Sequence, residues 1–118
     1  MIPAFVDTHL HYSGFSVLHR MFPISDTDSN ANILEQLKEY SANTRENIVV
    51  GFGATEYAVT EGHLILKEQL DLACNDKPAF IIKHDAHSGV ANTLFLNAIQ
   101  SKIANLRGYN PDTGELRQ

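Results

Sequence analysis

The feature that most constrains the fold is an alternation between short apolar runs and segments with helical periodicity. The apolar runs cover residues 5–11, 48–53 and 79–84, and each has the length of a buried strand. Apolar spacing predicts helices over about 29–43, from Thr60 or Glu61 to about residue 74, and over 90–99. Apolar strands that alternate with helices are typical of parallel βαβ units. We therefore expect an α/β fold, a βαβαβ-type unit with a short parallel sheet.

The first apolar run carries a pair of histidines, His9 and His11. Side chains alternate across a strand, so both imidazoles and Asp7 should lie on one face. Two neighbouring imidazoles suit one divalent metal ion, and zinc is a common partner of neutral imidazole. The plainer alternative is that the two histidines fill ordinary strand positions.

A second group of polar residues follows the other two strands. Glu56 comes after the second strand, and residues 84–87 (His84-Asp85-Ala86-His87) end the third. In parallel α/β folds the loops after the strands build the ligand site. We therefore expect these residues to lie at the same edge of the sheet as His9 and His11.

Four blocks of the sequence resemble metal-dependent amidohydrolases. Residues 3–11 resemble their first barrel strand, whose HxH pair binds metal inside a (β/α)8 barrel. Residues 84–96 resemble the "DGH…N(S/T)…L" block of one branch, which has a long segment after strand one and includes proteins labelled putative exoenzyme regulators. Residues 51–57 and 110–114 resemble its glycine-aromatic block and its "DPxTG" turn. This sequence has alanine in place of two of the family's usual glycines, at Ala4 and Ala86.

The resemblance implies a partial piece of a TIM barrel, because 118 residues fall short of the about 250 that a (β/α)8 barrel takes. We expect residues 1–118 to be a single truncated domain. The resemblance also implies that a metal-activated water hydrolyses C–N bonds in a small amide-type substrate. The further ligands of the metal would come from later strands, so the isolated chain should be inactive and bind metal weakly if at all.

Residue roles follow from the same resemblance. His9 and His11 would be ligands of a divalent metal, with zinc as the first candidate. His87, with Asp85 beside it, would face the substrate or polarise an oxyanion, and a role in capping the loop is an equal alternative for this pair. Asn92 is interpreted as a helix N-cap. His19 and His63 are interpreted as surface residues.

Two other functions remain open at this point. The chain could be a small α/β binding or regulatory module without catalysis. It could also belong to another class of metal hydrolase that begins with an HxH strand, such as the metal-dependent phosphoesterases. That class has less support, because residues 51–57, 84–96 and 110–114 match the amidohydrolase blocks.

Composition restricts the partners. A net charge of −5 with dispersed Lys and Arg argues against nucleic acid. No apolar stretch approaches the about 20 residues of a membrane-spanning helix, so no membrane partner is expected. The single cysteine, Cys74, fits a cytoplasmic location and is interpreted as a core residue. Unpaired strand edges of a truncated barrel could lead to self-association.

Overall fold

In a computed structural model of the protein, residues 20–24, 29–57, 59–103 and 107–117 are described. The described strands form one six-stranded sheet in the order β1-β2-β3-β4-β6-β5. The elements in chain order are β1 (Phe22–Pro23), α1 (Asn30–Asn43), β2 (Val49–Ala54), α2 (Lys67–Ala73), β3 (Ala79–Lys83), β4 (Ser88–Ala91), α3 (Thr93–Ala98), α4 (Gln100–Ile103), β5 (Tyr109–Asn110) and β6 (Glu115–Arg117).

The first half of the sheet is parallel. β1 pairs with β2, and β2 pairs with β3, both in the parallel sense. α1 and α2 form the two connections, so the predicted βαβαβ unit and its short parallel sheet are confirmed. The first strand of this unit is Phe22–Pro23, a segment that the sequence had not indicated as a strand. The predicted strand over residues 5–11 lies outside the described residues.

α1 agrees closely with its prediction over residues 29–43. Ser29 is the N-cap, and its hydroxyl accepts a hydrogen bond from the backbone N–H of Asn32 at 3.2 Å. Such a cap satisfies one of the free N–H groups of the first turn. The side chains of Ile33 and Leu37 are buried, so this face of the helix packs against the sheet.

The predicted start of the second helix at Thr60 or Glu61 was wrong, because α2 begins at Lys67. Residues 60–63 form turns, and Gly62 has a positive φ of 69°. The Glu61 carboxylate accepts a hydrogen bond from the backbone N–H of Asn30 at 3.0 Å. The Asn30 side chain donates to the carbonyl of His63 at 2.7 Å. These contacts attach the segment to the start of α1 and keep it out of a helix.

The helix predicted over residues 90–99 was partly wrong. Residues Ser88–Ala91 form β4, which pairs antiparallel with β3, and only then does α3 begin. Gly89 is required in β4, because a Cβ there would collide with the carbonyl of Ile81 and the ring of Phe80. The antiparallel half of the sheet therefore begins with a tight β3–β4 hairpin that the sequence analysis did not predict. The turn at residues 110–114, noted in the sequence, joins β5 to β6 in an antiparallel hairpin, and β6 also pairs with β4.

The main core lies between the parallel strands and the two helices α1 and α2. Cys74 is fully buried in it, which confirms its predicted packing role, and burial raises the pKa of its thiol. None of the described helices is long and apolar enough to cross a membrane. The buried members of this core are Phe22, Ile24, Ile33, Leu37, Val49, Ala54, Val59, Ile65, Leu70, Cys74, Ala79, Ile81 and Val90.

Candidate functional site

The carboxyl ends of β2 and β3 lie side by side and open into a cavity. Ala54, the last residue of β2, pairs with Lys83, the last residue of β3. The N–H of His84 donates to the carbonyl of Ala54 at 2.9 Å, which extends the contact past the strands. The polar side chains that follow both strands therefore meet, as the sequence predicted. They line a cavity of about 310 Å³ together with the strand ends: Ala54, Thr55, Glu56, Tyr57, Lys83, His84 and Asp85.

An ion pair joins the two strand ends. The Lys83 ammonium donates to Glu56 Oε1 at 3.0 Å, and the two side chains are 17% and 31% exposed. The pKa of Glu56 is lowered, first by its own backbone N–H and then by Lys83, so the carboxylate stays charged. Its second oxygen, Oε2, is buried and accepts no hydrogen bond from the described residues. One oxygen of the Glu56 carboxylate is therefore left without a hydrogen-bond donor among the described residues.

Residues 84–87 form the tip of the β3–β4 hairpin. The Ala86 N–H donates to the carbonyl of Lys83 at 2.9 Å, and the His87 N–H donates to Asp85 Oδ1 at 3.0 Å. The second bond lowers the pKa of Asp85, because a backbone N–H stabilises the charged carboxylate. Asp85 thus caps the turn, which is the alternative role that the sequence analysis left open.

Ala86 carries the backbone conformation that explains the family's usual glycine at this position. Its φ is 60°, in the left-handed region, and it is the only described residue other than glycine with a positive φ. Left-handed backbone is unfavourable for a residue with a Cβ. The departure from the family pattern noted in the sequence therefore falls at a strained point of the turn.

The two histidines of this turn have different surroundings. The His84 ring stacks on Phe52, with ring centroids 6.4 Å apart and an interplanar angle of 27°. His87 is exposed and contributes a backbone N–H to the turn. Of the two predicted catalytic residues, Asp85 lines the cavity, whereas His87 is absent from the lining residues described. A catalytic role for either residue stays a prediction.

A second cavity shares the Lys83–Glu56 pair with the first. It has a volume of about 300 Å³ and is lined by both members of that pair. Arg117 on β6 holds Glu115 in a two-point contact, with Nε to Oε1 at 2.9 Å and Nη2 to Oε2 at 3.1 Å. The sequence analysis missed this site, since it depends on β6 packing beside β4. The other lining residues are Gly62, His63, Leu64, Ile65, Leu66, Val90 and Thr113.

The predicted metal ligands, His9 and His11, lie outside the described residues. Within the described ranges, no group of three or more His, Cys, Asp or Glu side chains is placed to hold a metal ion. The described residues therefore do not make a metal site by themselves. His63 is exposed, as predicted, and His19 lies outside the described residues. Asn92 is the N-cap of α3, as predicted.

Comparison with known proteins identifies the family. A family model of the amidohydrolases matches residues 1–108. The chain belongs to the amidohydrolase family. No curated protein matches the sequence of this amidohydrolase chain. The match confirms the family that the sequence blocks had indicated.

Two solved structures are similar to this amidohydrolase chain. Each is an uncharacterized metal-dependent hydrolase, one from Pyrococcus horikoshii OT3 and one from Pyrococcus furiosus. The first is 27% identical with a TM-score of 0.74, and the second is 26% identical with a TM-score of 0.75. The similarity covers 98% of this chain but only 22% and 23% of those chains. The mixed α/β unit described above thus corresponds to a partial piece of larger hydrolases.

Proposed function

We propose that this chain forms part of a metal-dependent hydrolase that cleaves C–N bonds in small amide-type molecules. The observation that carries the proposal is the amidohydrolase family match over residues 1–108. The similarity to two metal-dependent hydrolases supports the same reaction class. A divalent metal, with zinc as the first candidate, would be held by His9 and His11.

The two imidazoles supply part of the ligand set in this proposal. Catalytic zinc sites use three protein ligands and keep one position for water or substrate. Because the chain spans under a quarter of its structural neighbours, we assign the missing ligands to the part of such a protein that this chain does not span. When bound, the metal lowers the pKa of its water to about 7 and so provides hydroxide at neutral pH.

The described residues would contribute the wall of the substrate site. Glu56, Lys83 and Asp85 line one cavity at the carboxyl ends of parallel strands, the usual place for ligands in α/β folds. Asp85 would fix the turn from which His87 extends. The exposed His87 ring would then be free to donate a hydrogen bond to a substrate carbonyl.

Zinc uptake by variants of this chain tests the ligand assignment. Any zinc that the wild-type chain takes up in equilibrium dialysis at millimolar zinc should be weakly held and should be lost in the double variant His9→Ala/His11→Ala, whereas His63→Ala should behave like wild type. The control removes an exposed imidazole that lies far from His9 and His11 in the sequence. Measurable zinc uptake that is equal in all three proteins, or tight uptake by the wild type at micromolar zinc, would contradict the assignment of two ligands to this chain.

Activity measurements test the other half of the proposal. With two of its ligands alone, the chain should not hydrolyse simple amides or cyclic ureas above the uncatalysed rate. A chelator-sensitive hydrolysis by the purified chain would show that the ligand set is already complete within it.

A further inference from the structure

The cavity between Glu56 and Arg117 combines the Lys83–Glu56 pair, which the hydrolase proposal places in the substrate wall, with the Arg117–Glu115 pair, which that proposal does not use. Two ion pairs border it, Lys83 with Glu56 and Arg117 with Glu115, so their charges cancel. The pKa of Arg117 is raised, first by Glu115 and to a smaller extent by the charge of Glu56. The two ion pairs therefore interact electrostatically. A ligand with a large net charge would be opposed by one member of each pair.

Both the positively and the negatively charged side chains of this cavity have hydrogen-bonding groups that are not in use. A lysine ammonium has three N–H donors, and among the described residues that of Lys83 donates to Glu56 alone. Arg117 uses Nε and Nη2 on Glu115, out of the five N–H groups of a guanidinium. Glu56 Oε2 is a charged acceptor that no described donor reaches. A buried charged oxygen without a partner is costly, so it favours a ligand that brings a donor.

One wall of the same cavity is apolar. Leu64, Ile65 and Leu66 run along the segment that precedes α2, and Val90 faces them from β4. Ile65 and Val90 are 3% and 5% exposed, whereas Leu66 is 40% exposed. An aliphatic group of the ligand would cover part of this exposed surface. The volume of about 300 Å³ is at the small end of the range for small-molecule sites.

We propose that this cavity binds an α-amino acid with an aliphatic side chain. The ligand carboxylate accepts from Lys83 and Arg117, its ammonium donates to Glu56, and its side chain packs on Leu64, Leu66 and Val90. The two oxygens of the Glu56 carboxylate exchange places by rotation about the terminal torsion, so the ammonium pairs with the oxygen that faces the cavity, beside Lys83. The site uses neither His9 nor His11, so it stands or fails separately from the metal proposal.

Binding of leucine to the whole chain tests the proposal by isothermal titration calorimetry. Leucine should bind, and three analogues that each lack one recognised group should bind at least about tenfold more weakly, as expected for the loss of one interaction with a charged group or of the aliphatic contact. These are leucinamide without the carboxylate, 4-methylpentanoate without the amine, and glycine without the aliphatic side chain. Absence of heat from leucine at millimolar concentration, or equal affinity for all four, would overturn the proposal.

Variants separate this cavity from other surfaces. Glu56→Gln should weaken leucine binding roughly 10- to 100-fold, because it removes the charge that faces the ammonium. Glu46→Gln, an exposed position at the amino end of β2, is the matched control and should bind as the wild type does. His9→Ala/His11→Ala should also keep leucine affinity. An unchanged affinity in Glu56→Gln, with a thermal melting curve like that of wild type, would refute the site.

Discussion

The side chain of Asn92 offers the sharpest quantitative test of the fold, since it joins three elements through four hydrogen bonds. Its Oδ1 accepts from the N–H of Ala79 at 2.8 Å and from the N–H of Phe95 at 2.9 Å. Its Nδ2 donates to the carbonyls of Cys74 at 3.0 Å and Lys77 at 2.9 Å. Asn92 is 0% exposed, so water cannot replace these partners without opening the core.

The cost of Asn92→Ala can be worked out from these contacts. Loss of an N-cap side chain costs about 1 kcal/mol, and each buried backbone group left without a partner costs about 1–3 kcal/mol. At least the Ala79 N–H and the Cys74 carbonyl become such groups, because both residues are fully buried. We therefore expect Asn92→Ala to lower the free energy of unfolding by about 3–7 kcal/mol. A loss of that size takes much of the about 5–15 kcal/mol that stabilises a typical domain.

Urea titration followed by far-ultraviolet circular dichroism measures this loss. The control is Asn97→Ala, the same change at an exposed position of α3, which should alter the free energy of unfolding by less than about 0.5 kcal/mol. If Asn92→Ala costs less than about 1 kcal/mol, the four hydrogen bonds do not hold the elements together as described.

Three further predictions concern the turn, the ion pair and the buried thiol. Ala86→Gly should raise the free energy of unfolding by about 0.5–1 kcal/mol in the same urea titration, because it relieves a φ of 60°, and a decrease would contradict the strained turn. The Glu56–Lys83 pair should contribute less than about 1 kcal/mol, since both side chains are partly exposed. Because the pKa of folded Glu56 is lowered from 4.5, this contribution is present above pH 4.5 and lost as the pH falls through the folded-state value. Urea titrations of wild type and Glu56→Gln at neutral and acid pH should therefore converge in acid, and a gap that widens in acid would show the opposite sign. Cys74 should resist a thiol-specific disulfide reagent in the native chain and react fully in urea, and rapid native reaction would place the thiol outside the core.

Parts of the fold that depend on local pattern were predicted well. α1 was predicted to within a residue, because Ser29 caps a segment whose apolar residues keep one helical face. β2 and β3 were predicted from the short apolar runs over residues 48–53 and 79–84. The helix start at Lys67 was missed because Glu61 bonds to Asn30, which is 31 residues away. Such a long-range contact leaves no signature in the local pattern.

The strand β4 shows the same limit for a short apolar segment. Val90 fits a helix by spacing, but in the structure it pairs with Ile81 across a hairpin. A four-residue strand and the first turn of a helix cannot be distinguished by periodicity. The strand is favoured by the close approach of Gly89 to β3, which is seen only in the folded chain.

The candidate site was predictable to the extent that it follows from parallel strands. Glu56 and Asp85 meet because both follow the carboxyl ends of neighbouring strands, and this was expected from the sequence. The cavity that includes Arg117 was not predicted from the sequence. Arg117 and Glu56 are 61 positions apart in the chain, and the antiparallel part of the sheet brings them together. The predicted pairing of His9 and His11 on a metal stays a prediction.

The two outermost described strands are very short, and this limits how the sheet can grow. β1 and β5 have two residues each, and one of those in β1 is Pro23, which has no N–H to offer a neighbouring strand. An added strand could form only a few backbone hydrogen bonds with β1 or with β5. Addition of a strand at either border of the described sheet would therefore add little backbone hydrogen-bonding energy.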